Sequence, residues 1–435
     1  MTTRAHNRII IDVTHLIDWY IFRQHPSGIQ RYTISICDWL HKKSDALYCT
    51  WNPAEEAFTV VDFEKLSQWI IDPTRTRSPL TQQCETVYRH GRSVKGAIRD
   101  FYGAANHLIY SIITLGNRKD YYLNSLKDIE SKEVMKWQNG DILLILSNRD
   151  YNRKHTEKIH KIKIEKKIKI IGMIYDVIPL DYPEFFTNQL IDQFQDWYSE
   201  SITRSDGILT ISHYSKERIS KIQQGTNGKI VNPIIVPVGS NLREGKSNRT
   251  PPSENKYILC VGSIEPRKNQ DFLANIWSEL VRTRGITNTP TLYIIGNAGP
   301  DADPLLNRIK DKNSKGCLIR IETGASEEVL ENAYEHALFT VFPSIAEGWG
   351  LPVTESLSHG RFCIASSATA IPEAAEGFAE LVDPRDGLGW IAAINKAIDN
   401  PKTLESHEKN ILSNYQPKSW ETVAKSLLDS LNAIN

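Results

Sequence analysis

The stretch "LFTVFPSIAEGWGLPVTESLSHG", Leu338–Gly360, reads as a strand, a loop and the opening of a helix. "LFTVF" is a short run of aromatic and β-branched residues, and its strand ends at Phe342. A helix begins near Leu351, where Pro352 suits a first helical position because its missing N–H is not needed there. Between them Gly348 and Gly350 let the backbone approach a ligand without side-chain collision. The helix start at Gly350–Leu351 offers free N–H groups and a positive dipole end, which attract an anion such as phosphate. Glu347 on the loop and Glu355 a turn inside the helix flank that position. A carboxylate accepts hydrogen bonds from two vicinal hydroxyls and repels a second anion, so a sugar and a ribose fit beside the phosphate. The spacing alone also fits a Glu347 that caps its turn and a Glu355 on a solvated helix face.

Working outward, the same unit repeats. "YILCVGS", "TLYIIGN", "CLIRIET", "RFCIASS" and "FAELVDP" are further short strands, with helical patterns such as "NQDFLANIWSELVRTRG" and "SEEVLENAYEHA" between them. Strand–helix alternation predicts a parallel sheet covered on both faces over residues 256–415. Upstream, "GSNLREGKSNRTPPSENK" (Gly239–Lys256) is polar and broken by glycine and a proline pair, and is read as a linker. The first domain, 1–240, opens with the run "RIIIDVTHL" and a helix over "IQRYTISICDWLHKK". Strands follow at 141–147, 167–177, 206–212 and 229–238, and "TNQLIDQFQDWYSESITRS" is a helix. Residues 52–138, rich in Trp, Tyr and Arg with weak periodicity, are expected as an inserted set of helices and loops. The last helix, 418–435, is expected to pack back across a cleft. A chain of 435 residues is long enough for two such domains, with a site between them at the carboxyl ends of the strands.

A second charged motif strengthens the first. "CVGSIEPRKNQDFLANIW" puts Glu265, Arg267 and Lys268 in the turn between a strand and a helix. Cations are unwelcome at a helix N-terminus. A bound diphosphate relieves that conflict, gripped by a planar fork and a point charge.

The set "GSIEPRKN", "LYIIGNAG", "FPSIAEGWGLPVTESLSHG" and "IPEAAEGFAELVDPRD" resembles family 4 glycosyltransferases, strongly over about 256–400 and more weakly before. That resemblance implies the GT-B fold, an α/β class of two Rossmann-like domains facing across a cleft. It also implies roles for the paired glutamates of the E-x7-E motif. Glu347 would touch the transferred sugar and Glu355 the ribose hydroxyls. Gly348, Trp349, Gly350 and Leu351 would support sugar and diphosphate, and Arg267 and Lys268 would neutralise the leaving group. In the first half, "PSGIQRYTISI" looks like the family's glycine loop, with Gly28 near donor phosphate and acceptor. "MIYDVIPLDYPEFF" is similar to its "HD-x-x-P" stretch, and "ISHYSKERI" to its serine-rich turn. Two departures stand out. Tyr175 and Asp176 replace the usual His-Asp, so either Tyr175 or Asp176 is the candidate to face the cleft. Ser263 stands where some members carry arginine, which shifts diphosphate contact to Arg267.

Weaker signals stay structural. Asp301 and Asp303 in "PDADP" have metal-motif spacing but lie between prolines before a helix, and read as a turn and cap. His15, His25 and His213 are isolated. No zincin, P-loop or GxGxxG signature is present.

Bulk properties set bounds. The net charge is +0, yet residues 1–250 hold 35 Lys+Arg against 28 Asp+Glu, and the remainder 17 against 24. That imbalance is too small to indicate a nucleic-acid binder. "RKHTEKIHKIKIEKKIKI" (153–170) is read first as a solvated helix face, with contact to an anionic membrane as the alternative. The six cysteines are scattered and expected to be reduced thiols. Without a signal-peptide pattern or a spanning run, the expected location is cytoplasmic, with peripheral contact at the inner membrane face as the alternative.

These readings converge on a retaining hexosyltransferase without a metal. It would move a sugar from GDP-mannose or a UDP-sugar to a glycan or lipid-linked acceptor in surface polysaccharide synthesis. Glu347, Lys268, Arg267 and Asp176 are the catalytic candidates. Gly28, Ser263, Gly348, Trp349, Gly350, Leu351 and Glu355 are the donor-binding ones. A nucleotide-sugar epimerase, a sugar phosphorylase and a noncatalytic partner subunit remain as alternatives.

Overall fold

The computed structural model describes residues 7–22, 26–72, 122–147, 153–224, 231–240, 256–299 and 302–434. Two sheets organise them. The first has the strand order β4-β3-β2-β1-β5-β6-β7-β8, where β7 is Gly207–Thr210 and β8 is Ile234–Ile235, and the second β11-β10-β9-β12-β13-β14. The chain divides into two compact units, Met1–Met173 with Glu200–Gly207, and Ile174–Ser199 with Ile208–Asn435.

In the first unit, β1 (Ile9–Asp12) pairs in parallel with β2 (Leu47–Asn52) and β5 (Ile142–Ile145), and β5 with β6 (Lys169–Met173). Ile10, Leu143 and Ile170 stand in register and share one apolar cluster with Trp51 and Phe58. The run after β1 turns at once into helix Thr14–Phe22. The Asp12 carboxylate triggers that turn, accepting the Thr14 N–H at 2.9 Å. It also meets His155 Nε2 at 2.8 Å, which pins helix Arg153–Lys166 over the strand end.

Among the described residues of 52–138, helix Phe63–Ile71 accompanies strands that the sequence reading did not expect. β2 and β3 (Ala57–Val61) form an antiparallel hairpin, and β4 (Glu130–Val134) continues it. The hairpin turn is held by Asn52, whose Oδ1 accepts the N–H groups of Ala54 and Glu55. β4 reads "ESKEV", a charged strand without apolar alternation, so only its partner reveals it. Residues 73–121, Cys84, His25, Asp301 and linker residues 241–255 lie outside the described set.

The lysine-rich segment keeps its structural reading. Lys154 pairs with Glu56, Lys161 with Glu165 and Lys163 with Asp206. Among the described residues, no helix is long and apolar enough to cross a membrane.

In the second unit the alternation behaves as read. β9 (Tyr257–Val261), β10 (Thr291–Ile295), β11 (Ile319–Glu322), β12 (Thr340–Phe342), β13 (Cys363–Ser366) and β14 (Glu380–Val382) are all parallel. Their period-two pattern splits the core in two. Ile258, Cys260, Leu292 and Ile294 pack on one face with Leu273, Trp277 and Trp390. Leu259, Tyr293 and Ile295 pack on the other with Tyr334. Both faces are covered, which is why these strands read as continuous apolar runs. Close approach of strand ends is bought with glycine: a Cβ on Gly296 would lie 1.8 Å from the Gly262 carbonyl oxygen. The last helix, Trp420–Ile434, buries Val423, Leu427 and Leu431, and its Trp420 ring lies where a Cβ on Gly239 would stand. Cys37, Cys49, Cys260, Cys317 and Cys363 are buried free thiols.

Candidate functional site

The second sheet reverses its winding between β9 and β12, because the chain moves out to β11 on one side and to β14 on the other. Connections diverging from two adjacent parallel strands leave a crevice at their carboxyl ends. Both charged motifs lie there: Glu265, Arg267 and Lys268 after β9, and Glu347, Gly348 and Gly350 after β12.

The two loops are joined by backbone. Ile345 N–H donates to the Arg267 carbonyl at 2.9 Å. Asn269, at φ +63° between the short helix Pro266–Lys268 and helix Gln270–Arg284, donates from Nδ2 to the carbonyls of Pro343 at 3.1 Å and Pro384 at 2.9 Å. The side chains then form a charge cluster. Lys268 Nζ donates to Glu347 Oε1 at 2.6 Å, and Arg267 Nη1 lies 3.1 Å from Glu347 Oε2. Ser344 Oγ donates to Glu347 Oε1 at 2.6 Å. Arg267 also holds Glu265 through Nη2 at 2.7 Å and the Ala346 carbonyl through Nη1. Lys268 Nζ stands 5.4 Å from the Phe342 ring centre.

Electrostatics follow from burial. Desolvation acts against the Glu347 carboxylate, but the Lys268 ammonium and the Arg267 guanidinium overcome it and hold its pKa down to about 2. Burial likewise opposes the Arg267 charge, and Glu347, Glu265 and Asp176 outweigh it, raising its pKa. The sequence suggested cations open to an anion. In the structure both are matched by carboxylates, because charges this deep in protein need partners.

Asp176 joins the same cluster. A Cβ on Gly348 would come within 3.0 Å of the Asp176 Cβ and Oδ2, so only glycine admits this approach. The Asp176 carboxyl accepts the Ile178 N–H at 3.1 Å. Its pKa is raised, chiefly by burial and further by Glu347, against the Ile178 N–H and the two cations. Of the neighbouring pair, Asp176 is the one set against the charged residues. Tyr175 is buried, and its carbonyl oxygen also faces Gly348.

The remaining candidates are placed as follows. Gly350, at φ +124°, precedes helix Leu351–Ser358 with no side-chain cap, so Leu351 is its first residue and Pro352 its second. Trp349 is buried, and its indole N–H has no hydrogen-bond partner among the described residues. Glu355 sits one turn into the helix and accepts the Tyr334 hydroxyl at 2.8 Å. Ser263 Oγ donates to Glu265 Oε1 at 2.9 Å, and so supports the Arg267 partner. Gly28 belongs to the first unit, where it opens helix Gly28–Lys43 behind a Ser27–Gln30 capping box. Asp303 lies in the first turn of helix Ala302–Ser314.

Three contributors were missed. Ser344 lies inside the quoted motif but carries no charge to mark it. Tyr334 occupies a core position of helix Glu327–His336, and its ring stacks on His359 at 5.0 Å. Thr369 takes the Glu347 backbone N–H on Oγ1 at 2.9 Å, with no local signal at all.

The sheet arrangement has solved counterparts. The structure superposes on Anabaena Alr3699/HepE, solved in complex with UDP and glucose, with a TM-score of 0.60 at 12% identity. The match covers 98% of this chain and 100% of that one. The fold is therefore that of the GT-B class. Residues 255–400, which contain the whole charge cluster except Asp176, match the family described as Glycosyl transferases group 1. The chain is similar to O-antigen chain mannosyltransferase B of Escherichia coli, at 24% identity over 58% of this chain and 67% of the relative. It is also similar to O-antigen chain mannosyltransferase RfbU of Salmonella typhimurium, at 25% identity over 56% of this chain and 64% of the relative. The matched stretches thus span about two thirds of these relatives' length. Residues 255–400 thus carry a match to the group 1 glycosyltransferases, and the chain is similar to family 4-like glycosyltransferases of the GT-B fold.

Proposed function

We propose that the chain transfers a hexose from a nucleotide-diphosphate sugar to a hydroxyl of a glycan or lipid-linked acceptor. GDP-mannose is the first donor to test, because both relatives above are named mannosyltransferases, with UDP-sugars second. Surface polysaccharide synthesis is the setting their O-antigen names support.

The observation that carries the reading is the Glu347–Lys268–Arg267 cluster at the switch point. An incoming diphosphate competes with Glu347 for both cations. The carboxylate is thereby released toward the hydroxyls of the sugar, while Glu355, steadied by Tyr334, takes those of the ribose. Arg267 and Lys268 stabilise the charge that develops as the anomeric carbon–oxygen bond breaks. They supply the neutralisation a metal would otherwise give, so no metal is needed. The acceptor oxygen bonds to the anomeric carbon on the face the diphosphate leaves. Its proton passes to a phosphate oxygen, and the anomeric configuration is retained.

Glu347→Ala and Lys268→Ala are each expected to cut transfer about 100-fold with the fold intact. Near-normal turnover in either would overturn the assignment. Incubation with donor alone separates the enzymatic alternative, because an epimerase yields an isomerised nucleotide sugar without any acceptor.

A further inference from the structure

Thr369 lies in the turn between β13 and helix Ile371–Ala375, with a backbone φ of +56°. A β-branched residue is disfavoured there, and such a conformation persists only where surrounding interactions outweigh its cost. Part of the compensation is local. Ile371 N–H donates to the Ala368 carbonyl at 3.3 Å, and Ala368 N–H to Ser366 Oγ at 3.1 Å. The rest reaches the site, because Thr369 Oγ1 accepts the Glu347 N–H at 2.9 Å. Glu347 is the residue whose carboxylate meets Lys268 and Arg267, and its amide is the last before Gly348.

The same turn and helix back the loop a second time. A Cβ on Gly350 would lie 3.5 Å from Ala374 Cβ and 3.6 Å from Ile371 Cγ1. The helix is itself anchored, since Glu373 accepts the N–H groups of His213 and Tyr214 at 2.7 Å each. The glycine loop is therefore held between Arg267 on one side and the Thr369–Ala374 segment on the other.

We propose that Thr369 is a positioning residue for the transfer reaction, its hydroxyl fixing the Glu347 backbone so that the carboxylate is aimed at the sugar. The proposal rests on the donor-site reading given above. Three variants separate the hydroxyl from the backbone. Thr369→Ser keeps the acceptor oxygen, Thr369→Val keeps the shape without it, and Thr369→Gly removes both the oxygen and the strained φ. Each is read by kcat and donor KM with the nucleotide sugar the wild-type protein turns over, and by hydrogen exchange at the Glu347 amide.

The serine variant should stay within about twofold of wild type in kcat. Valine and glycine should each lose about tenfold or more in kcat with donor KM within about threefold, since the aimed contact acts mainly in the transition state. Glu347 amide exchange should quicken by about tenfold or more in those two only. A purely structural role predicts the reverse for glycine, which relieves the strain and should be at least as active as wild type. A glycine or valine variant within twofold of wild-type kcat, or a serine variant as impaired as glycine, overturns the proposal. A wild-type protein that transfers from no nucleotide sugar instead overturns the donor-site reading, and this role with it.

Discussion

Replacing Glu347 by Gln removes one charge from the cluster while keeping the side chain's shape, and the structure sets the size of the effect. The carboxyl's pKa falls from an ordinary 4.5 to about 2 on folding. That drop corresponds to a preference for the ionised form of about 3 kcal/mol. Losing it leaves Lys268 and Arg267 facing a neutral amide, and breaking a buried ion pair from one side costs about 3–5 kcal/mol. The two routes agree. The sign also follows: the folded pKa lies below the unfolded one, so Glu347 contributes fully above pH 4.5 and loses its contribution as the pH falls through about 2. By pH 3 roughly half of it is gone.

Urea unfolding of wild type and Glu347→Gln at pH 7 and pH 3 is the assay. The gap should be about 3 kcal/mol at pH 7 and about 1.5 kcal/mol at pH 3. Inorganic pyrophosphate should then raise the stability of the Gln variant more than that of wild type, because Lys268 and Arg267 no longer have the Glu347 carboxylate as a partner. A gap equal at both pH values, or below about 1 kcal/mol at pH 7, would refute the reasoning.

Three other outcomes are expected. Gly348→Ala forces a Cβ to within 3.0 Å of Asp176, so transfer should fall about tenfold or more while circular dichroism stays unchanged. Tyr334→Phe removes a donor from the Glu355 carboxylate; with a hydrogen bond to a charged group contributing about 1.5–3 kcal/mol, donor KM should rise about tenfold with kcat nearly constant. Gly296→Ala cannot be accommodated beside the Gly262 carbonyl without moving a strand end, and should lower stability by about 3 kcal/mol or more in a denaturant titration.

The chain alone determined the second sheet. Its inner strands, β9, β10, β12 and β13, are short, mostly apolar runs, because a parallel strand buried on both faces has little room for polar side chains, whereas the edge strand β11 carries Arg320 and Glu322. The motif residues were legible for a related reason: charges and glycines crowded into a strand-to-helix turn have few structural uses. The first sheet was less so. β4 is a charged strand recognisable only through its pairing with β3, and helix Thr14–Phe22 follows β1 so closely that the two read as one run.

Tertiary structure decided the partnerships. Lys268 and Glu347 are separated by 79 positions and meet only because β9 and β12 lie side by side at the switch point. No local pattern marked Thr369 or Tyr334 as contributors, since a hydroxyl gains its meaning from the atom it faces. Nor could composition show that Arg267 and Lys268 are already matched by carboxylates. Local sequence sets the conformation each segment prefers, whereas the balance of charge in a buried site is set by which segments folding brings together.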